Sequence, residues 1–492
     1  MNYPKTPKGY PATPHFLGLN EPLGVEWEEA GLEVEGRIPD DVRGTFFRAV
    51  PDPKFPTAVQ DDTVLSGDGM VSKFVFKDDG TVDGAIKYVG TARHLAERAA
   101  GKALFGRYRN KYTDDPSVAE VDRTVANTTP VWHAGKLIMT KEDGRGYQVD
   151  PATLDTIGSY DFDGALKSET MTAHVRIDPV TGEMFFYGYE AAGLATKTIA
   201  YCIVDKAGKL VREQWFDAPY AAMMHDFAIT ENYALFPIFP TVVDHDVLKA
   251  GGEHWIHHQD WDSWLGVMPR YGDVSEVRWF KGPKGVHAYH MMNAFEDADG
   301  RIHLDQCLSA SNAFSFIREA SGLDLPQQTL GGGLVRWTVD YEDPSAGVSE
   351  VPLGPPGDMP RVPDAIMGRP YTDSWYCSIN PNGPPVFGGI VGVCFTLLFY
   401  RDNATGALMP LAMPPGLAIN EPVHIPSSTP GHKGWLMAVV DEEGGPEGYR
   451  HALWIIDAGN VPAGAVAKVK VPRRLRPQVH GWWVPKAQLA TG

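Results

Sequence analysis

Apolar and polar residues follow one another in short runs along this chain, in the pattern of β-strands rather than of helices. A strand is expected where such a run is rich in β-branched and aromatic residues and is bounded by turn residues. The runs that fit are KLIMTKE, EMFFYGYE, TIAYCIVD, YALFPIF, IHLDQCL, GLVRWTVD, TLLFY, GWLMAVVD and ALWIIDA. Helical periodicity is scarce, and only the stretch 91–105 (TARHLAERAAGKALF) predicts a helix, of about four turns.

A recurring turn separates the predicted strands. Each instance has an Asp, then a few residues that include Thr or Gly, then a new strand; the Asp residues are Asp150, Asp178, Asp205, Asp402 and Asp457. The Asp side chain caps such a turn, and Gly supplies a positive φ. Repeated hairpins predict an all-β chain folded as a β-propeller, with a β-sandwich array as the alternative. No linker divides the sequence, so we expect one domain over residues 1–492.

Composition narrows the range of partners and compartments. The net charge of −18 argues against nucleic acids and anionic membrane surfaces, which both require basic patches. No apolar run is long enough to span a bilayer, and the first residues lack a signal-peptide pattern. Four cysteines lie far apart in apolar runs, which predicts free core thiols and a reducing cytoplasm.

Four of the 16 histidines have settings suited to a metal site: His174 in MTAHVRID, His225 in MMHDFAIT, His290 in YHMMNAFE and His480 in VHGWW. Each lies among apolar or aromatic residues near one end of a predicted strand. The inner strands of propeller blades converge on the central axis, so residues at their ends can point to a common centre.

The other histidines fit that role less well. His254, His257 and His258 are dense in sequence, but Gly, Glu, Gln and Asp flank them, which predicts a solvated loop. His287 precedes His290 by three residues, and on a strand the two side chains face opposite sides.

Around the four histidines the chain resembles the carotenoid cleavage oxygenase family over nearly its whole length. The resemblance is carried, in order, by LEVEGRIPDDVRGTFFR (32–48), the GDGM turn (67–70), TAHVRIDP, MHDFAITENYALFP, the HxxNAFE run from His290, the segment EPV (421–423) and the terminal HGWW. It implies a seven-bladed β-propeller with a helical and loop cap, expected at about 91–125 and 241–275. It also implies Fe(II) bound by His174, His225, His290 and His480, since imidazole suits ferrous iron.

The family orients three of its histidines with glutamates that accept the Nδ1 proton. By motif these positions are Glu142 in MTKED and Glu421 in NEPVHIP, with Asp358 in GDMPRVP where the family has Glu. The shorter Asp358 predicts a bridging water or a shifted strand, and an ordinary loop acid is the alternative.

The segment 105–128 and the KED run at 141–143 resemble the bacterial lignostilbene dioxygenases and isoeugenol monooxygenases. That branch implies that Tyr108 and Lys141 bind the 4-hydroxyl group of a phenolic substrate; a surface Lys141 paired with Asp143 is the alternative. Thr128 matches a position beside the open coordination site. Stilbene-cleaving members have an aromatic residue in the pocket wall near the GDGM turn, and this chain has Leu65 or Ser66 at that position. Phe314 is a candidate to form the aromatic wall instead.

These features predict Fe(II)-dependent cleavage of the double bond of 4-hydroxystilbenes by O2, giving two aromatic aldehydes. The alternatives are isoeugenol cleavage to vanillin, apocarotenoid cleavage, and a propeller that binds a partner without catalysis. We expect a cytoplasmic enzyme without nucleic-acid or membrane partners, and a homodimer is compatible with the sequence.

Overall fold

The computed structural model describes residues 3–312, 314, 316–322, 332–444 and 448–489, and most of them lie in or between β-strands. The chain forms two compact units. The first comprises Met1–Tyr160, Tyr376–Tyr400 and Met409–Gly492, and the second comprises Asp161–Trp375 and Arg401–Leu408. Among the described residues, no helix has the length and apolar character needed to cross a membrane.

Strands far outnumber helices along the described chain. The helices are α1 (Ala92–Ala100), α2 (His245–Lys249) and α3 (Lys486–Leu489). The strands are β1 (Trp27–Glu29), β2 (Val34–Gly36), β3 (Gly44–Pro51), β4 (Gly69–Phe76), β5 (Val82–Tyr88), β6 (Thr129–His133), β7 (Lys136–Thr140), β8 (Gly146–Val149), β9 (Thr156–Tyr160), β10 (Arg176–Ile177), β11 (Met184–Tyr189), β12 (Thr198–Val204), β13 (Leu210–Asp217), β14 (Ala228–Ile229), β15 (Tyr233–Ile238), β16 (Thr241–Val242), β17 (Ile256–His257), β18 (Asp262–Pro269), β19 (Arg278–Lys284), β20 (His287–Glu296), β21 (Ile302–Ser309), β22 (Arg318–Glu319), β23 (Gly332–Val339), β24 (Ser349–Gly354), β25 (Asp358–Arg361), β26 (Asp373–Ser378), β27 (Leu397–Asp402), β28 (Leu408–Ala412), β29 (Leu417–Ile419), β30 (Val423–Ile425), β31 (Trp435–Glu443), β32 (Tyr449–Asp457), β33 (Ala465–Val471) and β34 (Gly481–Pro485).

The first unit contains three sheets, and two of them join strands from distant parts of the sequence. Their strand orders are β6-β7-β8-β9, β1-β5-β4-β3-β34, and β2-β33-β32-β31-β29 with β30 also on β31. Strand β34 pairs antiparallel with β3, with Gly44 opposite Pro485. Phe46, Phe74 and Trp483 pack in the buried core of this unit.

The second unit is built mainly from four-stranded antiparallel sheets. The strand orders are β10-β11-β12-β13, β14-β15-β18-β19 and β20-β21-β23-β24, beside a small sheet β16-β17-β22. Its core includes Leu235, Phe280, Leu304 and Trp337. Sheets of four antiparallel strands are typical of propeller blades. The predicted all-β fold class is confirmed, whereas the number of seven blades and the cap segments stay predictions.

The Asp turns have the geometry that the sequence predicts. Asp150 Oδ1 accepts the backbone N–H groups of the residues two and three positions further on, at 2.7 and 3.0 Å. Asp178 and Asp402 do the same in their own turns. Each predicted strand run contains an observed strand, and the four cysteines are buried and free, as expected.

The predicted helix is present but shorter than expected. Thr91 caps its first turn by accepting the N–H of His94, and the helix ends at Gly101, which adopts a left-handed φ of 66°. The backbone N–H groups of Leu104 and Phe105 then donate to Glu97 Oε1. The prediction that the helix reaches residue 105 was therefore wrong, because this side-chain acceptor and Gly101 turn the chain away.

Candidate metal centre and substrate-binding residues

Three of the four predicted histidines lie in the second unit, on backbone that departs from regular strand pairing. His174 and His225 precede the short strands β10 and β14, and His290 lies within β20. The pairing of β20 with β21 is irregular on both sides of Met291. Thr172 Oγ1 accepts the N–H of His174 at 3.0 Å, which helps to fix that irregular segment.

The rings of these three histidines converge through their Nε2 atoms. His174 Nε2 lies 3.1 Å from His225 Nε2, which in turn lies 3.2 Å from His290 Nε2. The rings meet edge to face, with centroids between 4.6 and 5.0 Å apart. Nitrogen ligands at about 2.1 Å from one ion, at right angles, are about 3 Å apart. The observed spacing is therefore that of ligands on a shared metal.

Carboxylates hold the outward-facing nitrogen of two histidines. Asp358 Oδ1 lies 2.7 Å from His290 Nδ1, and Glu421 Oε1 lies 3.1 Å from His480 Nδ1. Glu421 Oε2 also accepts the N–H of Gly481 at 2.8 Å. A carboxylate at Nδ1 keeps the proton there and leaves the Nε2 lone pair for a metal.

Asp358 reaches its histidine directly, so a bridging water is not needed to span the missing methylene. The neighbouring Met359 has a left-handed φ of 54° and donates its N–H to the same Asp358 oxygen at 2.8 Å. This left-handed conformation of Met359 accompanies the direct contact between Asp358 and His290.

The four predicted histidines form a group that could hold a metal ion. The ligand nitrogens of His174, His225, His290 and His480 all lie within 4.8 Å of one another. Four imidazoles, two of them oriented by carboxylates, make a neutral donor set suited to a divalent transition metal such as iron. The residues present therefore fit the metal site that the sequence predicts.

In the first unit, Lys141 and Tyr108 are neighbours. Lys141 follows β7, is buried, and places its Nζ 5.3 Å from the centre of the Tyr108 ring. Burial raises the pKa of Tyr108, while the Lys141 ammonium acts in the opposite direction. The alternative of a surface lysine paired with Asp143 is wrong: the side chain is buried, and Asp143 accepts a hydrogen bond from Thr124 Oγ1.

The residue after Lys141 is also buried. Glu142 Oε2 lies 3.7 Å from Arg109 Nη1, and both side chains are almost inaccessible to solvent. Arg109 follows Tyr108 and has a left-handed φ of 53°. The role of Glu142 in orienting a histidine stays a prediction.

A residue that sequence reasoning missed, Asn127, connects two of the predicted pocket positions, Leu65 and Thr128, with the GDGM turn. Its Nδ2 donates to the backbone oxygens of Leu65 (3.0 Å) and Gly67 (2.8 Å). Its Oδ1 accepts a hydrogen bond from Thr128 Oγ1 at 3.0 Å. The position of Asn127 directly before Thr128 was the only signal for it in the sequence.

Ser66 is held by a buried acid. Its Oγ donates to Asp62 Oδ1 at 2.5 Å, and burial raises the pKa of Asp62 from 3.8 to about 6. Leu65 and Ser66 are both buried, and the roles of Leu65, Ser66 and Thr128 at the substrate stay predictions.

Phe314 is close to the histidines through one intervening ring. The Phe314 ring contacts Tyr289 edge to face at 4.4 Å, and the Tyr289 ring lies 5.8 Å from that of His225. This placement is compatible with a pocket wall, which stays a prediction.

The predicted solvated loop at His254 and His257 is wrong, because both side chains are buried. His254 Nε2 lies 3.1 Å from Glu190 Oε2. Thr241 Oγ1 lies 2.8 Å from His257 Nδ1 and 2.9 Å from His287 Nδ1. These partners lie elsewhere in the sequence, so the polar residues flanking the two histidines gave a misleading signal. His287 thus has a different partner from His290, as strand alternation predicts.

Comparisons with known proteins identify the family of the chain. The profile of the family described as RPE65, retinal pigment epithelial membrane protein, matches residues 20–485. The chain is 40% identical to lignostilbene-alpha,beta-dioxygenase isozyme III of Sphingomonas paucimobilis, covering 98% of this chain and 99% of that protein. It is 38% identical to the isoeugenol monooxygenase of Pseudomonas nitroreducens, covering 96% and 98%.

Solved structures give the same result for the fold. The crystal structure of Pseudomonas brassicacearum lignostilbene dioxygenase superposes with a TM-score of 0.91 and 37% sequence identity, covering 97% of this chain and 99% of that one. By its fold and by these relatives the chain is an all-β oxygenase that cleaves alkenes. The chain belongs to the RPE65 family, the carotenoid cleavage oxygenases.

Proposed function

We propose that this chain uses Fe(II) and O2 to cleave the alkene of a 4-hydroxystilbene into two aromatic aldehydes. The observation that carries the proposal is the buried Lys141 Nζ beside the Tyr108 ring, because it provides a positive charge and a hydroxyl for a phenolic oxygen. The names of the lignostilbene dioxygenases at 40% and 37% identity support the same substrate class.

The metal in this proposal is held by His174, His225, His290 and His480. Asp358 and Glu421 keep the Nδ1 protons of His290 and His480 in place, so that Nε2 faces the metal. When bound, ferrous iron supplies the redox chemistry that allows dioxygen to react with an alkene.

Recognition of the phenol rests on the protonation states of its two partners. Burial keeps Tyr108 a neutral phenol, so it donates a hydrogen bond to the substrate oxygen. Lys141 as an ammonium ion favours the phenolate form of that substrate oxygen. Electron release from the para-oxygen then reaches the conjugated double bond and makes it more reactive toward oxygen.

The stoichiometry requires no external reductant. The carbon–carbon double bond breaks, one oxygen atom of O2 is added to each carbon, and two aldehydes form. The protein positions the ring and excludes water from the reacting carbons. The buried free cysteines suit the reducing cytoplasm that we assign to the enzyme.

Isoeugenol cleavage is the second candidate. It is favoured by the 38% identity to an isoeugenol monooxygenase, and isoeugenol carries the same 4-hydroxyphenyl group. A shorter side chain in place of the second aromatic ring distinguishes the two substrates, so the far end of the pocket decides between them.

The test is a side-by-side assay of the iron-loaded protein on lignostilbene, resveratrol, isoeugenol and an apocarotenoid, with aldehyde formation as readout. We expect the highest kcat/KM on a hydroxystilbene. Greater turnover of isoeugenol would select the second candidate, and a requirement for detergent with turnover of the apocarotenoid alone would reject both. Purification without stoichiometric metal and no turnover of any substrate would indicate a non-catalytic binding protein.

A further inference from the structure

The backbone that carries His174, His225 and His290 needs a restraint beyond regular strand pairing. His174 and His225 lie outside strands, and the pairing of β20 with β21 is irregular around Met291, the residue after His290. Ladder hydrogen bonds therefore do not fix these three segments relative to one another. A metal site requires such fixing, because ligand geometry determines affinity.

One largely buried ion pair lies beside all three segments. Arg176 is two residues after His174, and Asp226 directly follows His225. Arg176 Nη2 lies 2.6 Å from both carboxylate oxygens of Asp226, and Arg176 Nε donates to the backbone oxygen of Phe227 at 2.8 Å. The guanidinium thus ties the His174 segment to the His225 segment.

The same pair also holds the segment of His290. Asp226 Oδ2 accepts the backbone N–H of Met291 at 2.8 Å, and Arg176 Nη2 donates to the Met291 backbone oxygen at 3.3 Å. Asp226 Oδ1 additionally accepts the N–H of Phe227 at 2.7 Å. Both backbone polar groups of Met291 are therefore bound by side chains at the point where the strand pairing is irregular.

We propose that Arg176 and Asp226 are positioning residues that hold His174, His225 and His290 in ligand geometry, without themselves touching the metal. Their side chains are only 12% and 2% exposed, so the pair is shielded from water. A hydrogen-bonded ion pair shielded from water is directional, and loss of one partner leaves an uncompensated charge. The proposal rests on the metal site of the proposed function and adds the device that preorganises it.

Two conservative variants remove this restraint. Asp226→Asn replaces one acceptor oxygen with an NH2 group, which faces either the Met291 or the Phe227 N–H and cannot accept from it. Arg176→Lys replaces the guanidinium, which donates to Asp226, Phe227 and Met291, with a single ammonium group that lacks this fixed set of donors. Asp226→Glu keeps the charge and serves as a partial rescue.

The matched control is Arg336→Lys, in another Arg–Asp ion pair of the same unit. Arg336 Nε and Nη2 lie 2.7 and 2.8 Å from the oxygens of Asp305, on neighbouring strands β23 and β21. This variant makes the same exchange in a comparable ion pair, whose guanidinium is not hydrogen-bonded to Met291, Phe227 or Asp226.

The experiment titrates the metal-free full-length variants with Co²⁺ and records the ligand-field absorption spectrum, together with the melting temperature of the metal-free protein. We expect Asp226→Asn and Arg176→Lys to weaken Co²⁺ affinity by about 10- to 100-fold and to alter the spectrum. Asp226→Glu should have intermediate affinity. Arg336→Lys should lower the melting temperature while leaving affinity and spectrum unchanged.

The positioning role would be overturned if folded Asp226→Asn and Arg176→Lys bound Co²⁺ with wild-type affinity and gave the wild-type spectrum. This holds even if both variants melted at a lower temperature. If Asp226→Asn does not fold, the Co²⁺ affinity and the spectrum of Arg176→Lys and Asp226→Glu test the positioning role in its place. Failure of the wild-type protein to bind Co²⁺ would instead overturn the metal site itself, so the two failures are distinguishable.

Discussion

Replacing Lys141 with Met tests the proposed substrate class most directly. Met has a similar length and removes the ammonium while filling the buried space beside Tyr108. A hydrogen bond to a charged group contributes about 1.5–3 kcal/mol. If Lys141 binds the phenolic oxygen, its loss should lower kcat/KM by about 10- to 150-fold.

The assay compares a 4-hydroxystilbene with its 4-methoxy counterpart in wild-type and Lys141→Met enzymes at matched iron content. We expect the large loss only for the hydroxylated substrate, because the methoxy group cannot form the phenolate that Lys141 favours. Lys136→Met, at the half-buried start of the same strand β7, is the matched control and should leave both rates unchanged. An equal loss on both substrates would refute the reasoning, since it would indicate a packing defect rather than a lost charge.

Three further predictions concern the metal and the pocket. His225→Ala should abolish metal retention and turnover, because both Nε2–Nε2 contacts involve His225; stoichiometric iron in the purified variant would contradict this. Asp358→Asn should weaken Co²⁺ binding by about 10- to 100-fold in titrations, whereas an unchanged affinity would limit Asp358 to a structural role. Asp62 keeps its proton up to about pH 6 when folded but only to 3.8 when unfolded, so folding stability should fall by about 2 kcal/mol as the pH rises from 4 to 6. Urea unfolding of Asp62→Asn should lack that decline, and a parallel pH profile in both proteins would disprove it.

Local signals predicted the strands and their turns well. Runs such as those of β11, β12 and β23 are apolar and bounded by turn residues, and Asp150 and Asp178 cap turns through their own side chains, which requires no distant partner. The four histidines could be chosen because the sequence around each resembles an oxygenase family. Physical patterns alone indicated only that they lie among apolar residues near strands.

What the sequence could not predict depends on contacts between distant residues. His254 and His257 are buried because Glu190 and Thr241 supply their partners, and the polar residues around them give no sign of this. The direct contact of Asp358 with His290 accompanies the left-handed backbone of Met359, which a residue of that type rarely adopts. Asn127 could not be recognised either, since its hydrogen bonds to Leu65 and Gly67 cross a large interval of sequence.

The pairing of β34 with β3 determines when the histidine group can be completed during synthesis. His480 directly precedes β34, and its backbone oxygen accepts the N–H of Ala49 in β3. During translation β3 is made long before β34, so its pairing on this side is delayed until β34 has been synthesised. A nascent chain that ends before His480 therefore has three of the four histidines, and the group of four is complete only after this late segment has been made.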